Sequence, residues 1–109
     1  MNDQFWGWLA GFWEADGSLG KPGLRITQKS PIPLWKIQQV CGGVVVADKK
    51  VWHNGRLYYV WRVTNSPDIR AILMKMRPHL RFRLMQVNRY LDETPKRIYK
   101  RQVIVERKF

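Results

Sequence analysis

Leu9-Ala10-Gly11-Phe12-Trp13-Glu14-Ala15-Asp16-Gly17 is the stretch on which the fold turns, a tightly apolar, glycine-spaced helical segment that ends in carboxylates. Aligned peptide dipoles leave partial negative charge at a helix C-terminus, so Asp16 there, with Glu14 close by, costs about 0.3–1 kcal/mol before any partner is considered. A cation would turn that cost into a binding site. Gly7, Gly11 and Ala15 recur every fourth residue and so line one ridge of the helix, with Ala10 beside them. Glycine costs about 0.8–1 kcal/mol relative to alanine in a helix interior, and close approach of another helix backbone is the usual compensation. Phe5, Leu9, Phe12 and Trp13 supply a separate apolar face for the domain's own core. Asn2 is placed to cap the N-terminus, and Gly17 to take a left-handed conformation after the last turn. If the ridge of Gly7, Ala10, Gly11 and Ala15 meets its own copy across a two-fold axis, two Asp16 side chains converge there. Paired carboxylates suit a divalent metal ion.

Downstream the pattern alternates between hairpins and helices. Ser18 to Leu19 and Leu24 to Lys29 read as strands joined by a turn at Lys21-Pro22-Gly23. Pro31 and Pro33 lead into a helix over about 34–40, with Leu34, Ile37 and Val40 on one face and Gly42-Gly43 as its stop. Val44 to Trp52 and Arg56 to Thr64 are a second hairpin around the turn pair Asn54-Gly55. Ser66 is expected to cap a helix that begins at Pro67, turns Ile69, Ile72, Leu73 and Met76 inward and ends near Pro78. A last helix, about 83–91, places Leu84, Val87 and Leu91 together. The class is α+β, with helices against one face of an antiparallel sheet. Residues 1–94 form one domain and residues 95–109 a basic C-terminal extension, a phosphate-binding arm or an added edge strand.

A chain of 109 residues with 45% hydrophobic residues is ample for one packed core. Twenty Lys and Arg against eight acidic residues give a net charge of +12, which points to a polyanion, either nucleic acid or an anionic membrane surface. The longest apolar run, Phe5 to Trp13, is far short of the roughly 20 residues of a membrane span, and no basic n-region precedes it. A soluble intracellular protein without membrane attachment is therefore expected. The single cysteine, Cys41, reads as a small structural residue, and Trp6, Trp13, Trp35 and Trp61 as core. His53 and His79 share no metal-ligand spacing, so neither is taken as a ligand.

The nonamer resembles the motif of the LAGLIDADG homing endonucleases, matching six of its nine letters, with Phe12, Trp13 and Glu14 as the departures. The likeness continues in Arg25-Ile26-Thr27-Gln28-Lys29-Ser30 and in Pro78-His79-Leu80-Arg81-Phe82-Arg83, spanning roughly Phe5 to Asp92. It implies an α-β-β-α-β-β-α unit with a saddle-shaped sheet. Because the motif occurs once, it also implies a homodimer that cuts pseudo-palindromic duplex DNA with Mg²⁺ or another divalent cation, leaving short 3′ overhangs, in an enzyme of the mobile-intron kind. Asp16, helped by the Ala15 carbonyl, would hold metal. Gln28 matches a position that orients water near the scissile phosphate. Arg83 falls where many relatives place a catalytic-pocket lysine; unlike lysine it stays charged, so it could stabilise phosphate but not act as a base. Glu14 reads as a partly exposed or hydrogen-bonded acid rather than a ligand.

The open face of the sheet is the expected DNA surface. Parity gives it Arg25, Thr27 and Lys29 on one strand, Asp48 and Lys50 with Val46 on another, and Arg56, Tyr58, Val60, Arg62 and Thr64 on the last, while Leu57, Tyr59, Trp61 and Val63 face the core. Arg81 joins the set from the third matching segment. Arg25 and Arg62 are the candidates for base edges, Lys29 and Lys50 for phosphate. The competing expectation is a cleavage-deficient DNA- or RNA-binding protein on the same fold, a splicing cofactor or regulator.

Overall fold

The computed structural model describes residues 3–48 and 57–93. In chain order it comprises α1 (Asp3–Asp16), β1 (Gly17–Gly20), β2 (Gly23–Gln28), α2 (Ile32–Cys41), β3 (Val44–Asp48), β4 (Tyr58–Val63) and α3 (Ser66–Met76). A 3-10 turn (Arg77–His79) follows, and then α4 at 84–93. The four strands form one antiparallel sheet in the order β1-β2-β4-β3, so the two hairpins join through β2 and β4. The class is α+β. Asn2, Lys50, His53, the Asn54-Gly55 turn, Arg56 and the extension at 95–109 lie outside the described residues.

All four helices close over one sheet face. Leu9, Ala10 and Trp13 of α1, Leu34 and Ile37 of α2, Ile69, Ile72, Leu73 and Met76 of α3, and Val87 and Leu91 of α4 pack with Leu24, Ile26, Trp61 and Val63 in one buried cluster. Alternation puts Leu24 and Ile26 inward on β2 and Trp61 and Val63 inward on β4, as the parity of each strand requires. Gly42 and Gly43, both at positive φ, turn the chain from α2 into β3, and Trp61 Nε1 donates to the Gly42 carbonyl at 2.8 Å. Only glycine takes two such dihedrals in succession at little cost.

Several expectations differ from the structure, some by a single residue. Val40 is 54% exposed and Cys41 packs on the core in its place. From Leu34, seven residues return to nearly the same angle whereas six fall about 120° short of it at 3.6 residues per turn. Trp35 is 51% exposed on the outer side of α2 rather than in the core. Asn65, not Ser66, caps α3, its Oδ1 accepting from the Asp68 amide at 3.3 Å. Leu84 is exposed because it stands at the very start of α4, before the helix reaches the core. Leu57 is exposed because it precedes β4, whereas Val60 is buried on the outer face, flanked in register by Thr27 and Val46. Gly17 is not at positive φ but opens β1 directly. Its lack of a side chain serves Trp13, whose ring fills the space a Cβ would take.

Candidate active site and nucleic-acid interface

The C-terminus of α1 meets the entry to α4, and each end is completed by a side chain of the other. Glu14 Oε2 accepts from the amides of Arg81, Phe82 and Arg83 at 2.8, 2.5 and 2.9 Å. In return, Arg83 Nη1 donates to the carbonyls of Trp13 at 3.2 Å and Gly17 at 2.7 Å. The guanidinium carbon lies 4.1 Å from the centre of the Trp13 ring, and Arg83 Nε donates to Gln86 Oε1 at 2.8 Å. An anion thus sits on the amides leading into one helix and a cation on the carbonyls ending the other, the favourable sense for both dipoles. Partial burial pushes the Glu14 carboxyl upward, but the three amides and the Arg83 charge outweigh it and hold its pKa below the ordinary value.

That shift has a measurable consequence. A depressed folded-state pKa contributes stability that is full above the unfolded value, near 4.5, and is lost as pH falls through the folded one. In thermal melts from pH 7 to pH 3, Glu14→Gln should lower Tm most at neutral pH, with the gap to the unmodified chain closing below about pH 4.5. A gap that stays constant across this range would contradict the ionised contact.

Asp16 is exposed at the end of α1, and Gln28 Nε2, across from it at the end of β2, donates to its Oδ2 at 2.9 Å. The structure therefore brings together two of the three candidate catalytic residues. The third, Arg83, reaches the same corner through the Gly17 carbonyl rather than through Asp16. Ala15 and Gly11 are exposed on the ridge, Gly11 facing open space, while the His79 ring rests against Gly7. Ala10 is fully buried in the domain's own core and does not belong to that exposed ridge. Gly7, Gly11 and Ala15 line a groove of about 790 Å³ whose other wall is Pro78 to Phe82.

On the outer sheet face Arg25 stands directly opposite Arg62 in the β2–β4 register. Like charges so placed repel. The Arg25 Nε is buried without a hydrogen-bond partner among the described residues, which leaves it wanting an acceptor. Thr27 and Asp48 are half-buried on this face, Tyr58 pairs in register with Asp48, and Lys29 is exposed just past the end of β2. Arg81 is exposed on the groove wall.

No protein-family model matches the sequence, and no curated protein matches it. Solved structures of similar fold include two complexes of one homing endonuclease. One is the homing endonuclease I-CvuI in complex with the I-CreI target in the presence of Mg, with the DNA not cleaved, at a TM-score of 0.62 and 21% identity over 84% of this chain. The other is I-CvuI with its own target in the presence of Ca, at a TM-score of 0.63 and 24% identity over 82% of this chain. The chain spans about two thirds of the length of these neighbours, 66% and 64% respectively. The likeness establishes the fold.

Among the described residues no three His, Cys, Asp or Glu side chains gather to hold a metal ion. One chain offers the exposed Asp16 carboxylate, with the peptide oxygen of Ala15 as the expected second donor, and these hard oxygens match Mg²⁺ or Ca²⁺ in kind. The set fits a hard divalent cation but needs donors from a second copy or from a phosphate to be complete. Burial pushes the Cys41 thiol up to about 12, as for a residue packed on the core. Among the described residues no helix is long and apolar enough to cross a membrane. The Glu14 and Arg83 exchange is only half visible in the sequence: Glu14 reads there as a partly exposed or hydrogen-bonded acid, but its partners lie nearly 70 residues away.

Proposed function

We propose that this chain is a LAGLIDADG-type homing endonuclease of the single-motif kind, which dimerises and hydrolyses both strands of a pseudo-palindromic DNA duplex with a divalent cation. The observation that carries this reading is the Asp16–Gln28 pair at the end of the small-residue ridge, on the flank of a basic sheet face. The DNA complexes of the fold neighbours support it. Two copies packed along Gly7, Gly11 and Ala15 would bring both Asp16 carboxylates to the two-fold axis. A bound Mg²⁺ would stabilise charge on the scissile phosphate and on the attacking water. Gln28 spends its amide nitrogen on Asp16 and so keeps its oxygen as an acceptor for a water O–H.

Arg25 and Arg62 would face the duplex as a pair. A guanine edge or a phosphate placed between them would relieve their repulsion and give the buried Arg25 Nε an acceptor. Replacing either by alanine should weaken binding by about 1–3 kcal/mol if it reads a base, with loss of preference at one position, whereas a phosphate contact would instead reduce the salt slope by about one. Titrations of the duplex over a range of NaCl concentrations separate the two. Unchanged affinity in both variants would remove this face from the interface.

The whole reading is tested by incubating the purified chain with a duplex library in Mg²⁺ or EDTA, alongside gel filtration. Metal-dependent double-strand cuts by a dimer are expected. A monomer, or binding without cuts, would leave the competing reading of a DNA- or RNA-binding protein. The shortness of the first hairpin, whose β1 has only four residues, is the observation that favours that alternative.

A further inference from the structure

The chain around Asp16 is gripped by side chains from distant parts of the sequence. Arg83 holds the carbonyls of Trp13 and Gly17, Trp13 Nε1 donates to the Ser18 carbonyl at 3.3 Å, and Gln86 Nε2 donates to the Leu19 carbonyl at 3.3 Å. Gln86 is itself bonded to Arg83, and Trp13 lies under the Arg83 guanidinium with none of its surface exposed. The carbonyls on both sides of Asp16, and the two that follow Gly17, are therefore tied into one assembly centred on Arg83. The Asp16 side chain is left to Gln28.

We propose that Arg83 is a positioning residue, which fixes the α1–β1 junction and thereby the direction in which Asp16 presents its carboxylate; it does not stand in for a lysine that touches the reacting atoms. The consequence for cutting rests on the nuclease reading above, whereas the clamp itself does not. Two features fit arginine to this task and not lysine. A planar guanidinium donates to two carbonyls from one nitrogen and to Gln86 from another while its carbon lies over an indole, and an ammonium has no such fork of donors. Its charge also offsets the negative end of α1, whose Trp13 carbonyl it holds. Glu14 completes the arrangement by holding the Arg83 amide, so the residue is fixed by its backbone as well as its side chain.

The test is Arg83→Lys in the full chain, which keeps the charge and restores the residue type expected of a direct participant. The duplex is the one the unmodified chain selects from a random library in Ca²⁺, and cutting is started with Mg²⁺ under single-turnover conditions. Misplacement of Asp16 should slow cutting by about 10- to 100-fold, with duplex affinity in Ca²⁺ changed less than about threefold and the pH–rate profile unchanged in shape. A rate equal to or above that of the unmodified chain, or a new ionisation in the profile, would overturn the proposal. Amide hydrogen exchange needs no DNA: exchange across residues 14–19 should quicken in the variant while α3 stays protected, and unchanged exchange there would also overturn it. An unmodified chain that cuts no duplex refutes the nuclease reading, and the exchange measurement still decides the clamp.

Discussion

Asp16→Asn is expected to abolish metal-dependent cutting, by on the order of 10²–10³-fold or more, while raising the stability of the free protein. The two effects have one cause. Asparagine has nearly the shape of aspartate and keeps an oxygen to accept the Gln28 amide, so the corner between α1 and β2 retains its geometry. What it loses is the charge that would hold a hard cation. That charge sits at the negative end of α1, where a carboxylate costs about 0.3–1 kcal/mol, and the variant should gain part of that amount back. A rise in Tm together with loss of cutting would mark Asp16 as a residue retained for chemistry against the preference of the fold. A fall in Tm would instead make Asp16 a structural terminus of α1.

Gly17→Ala should be the most damaging single-methyl addition at this corner, costing about 1–3 kcal/mol, or about 4–8 °C in Tm per kcal/mol for a domain of this size. A Cβ at residue 17 would fall within the Trp13 ring, 2.6 Å from its Nε1, and Trp13 has no exposed surface through which to retreat. Moving the ring would break its bond to the Ser18 carbonyl and displace the surface on which Arg83 stacks. Backbone conformation is not the reason, because residue 17 does not lie at positive φ. Thermal or urea melts of the variant check the magnitude, and a Tm within about a degree of the unmodified chain would show that the ring can shift freely.

Local periodicity carries much of this fold. The inward residues of α3 follow the helical repeat and the inward residues of β2 follow alternation, and both are buried as that logic requires. Packing departs from the sequence pattern at Val40, six residues on from Leu34 where seven reach the core, and beyond the ends of the packed layer at Leu57 and Leu84. At the candidate site the types and order of Asp16 and Gln28 were legible, and their contact at 2.9 Å lies just beyond the Gly17–Ile26 pair that ends the β1–β2 register. The role of Arg83 was not legible. Its acceptors are backbone carbonyls, which carry no sequence identity, and they lie 66 and 70 residues away. Gly17 was recognised as necessary for a conformational reason and proves necessary for a steric one.

On the proposed function, Asp16 residues from two copies of the chain cut the two strands of one duplex. Mixed dimers of the unmodified chain and Asp16→Asn, separated by different affinity tags and incubated in Mg²⁺ with the selected duplex labelled on each strand, test it most directly. Unmodified dimers should cut both strands, Asp16→Asn dimers neither, and mixed dimers should cut far more slowly than the unmodified pair, with nicked duplex as an intermediate. Undiminished cutting of both strands by Asp16→Asn dimers would contradict it.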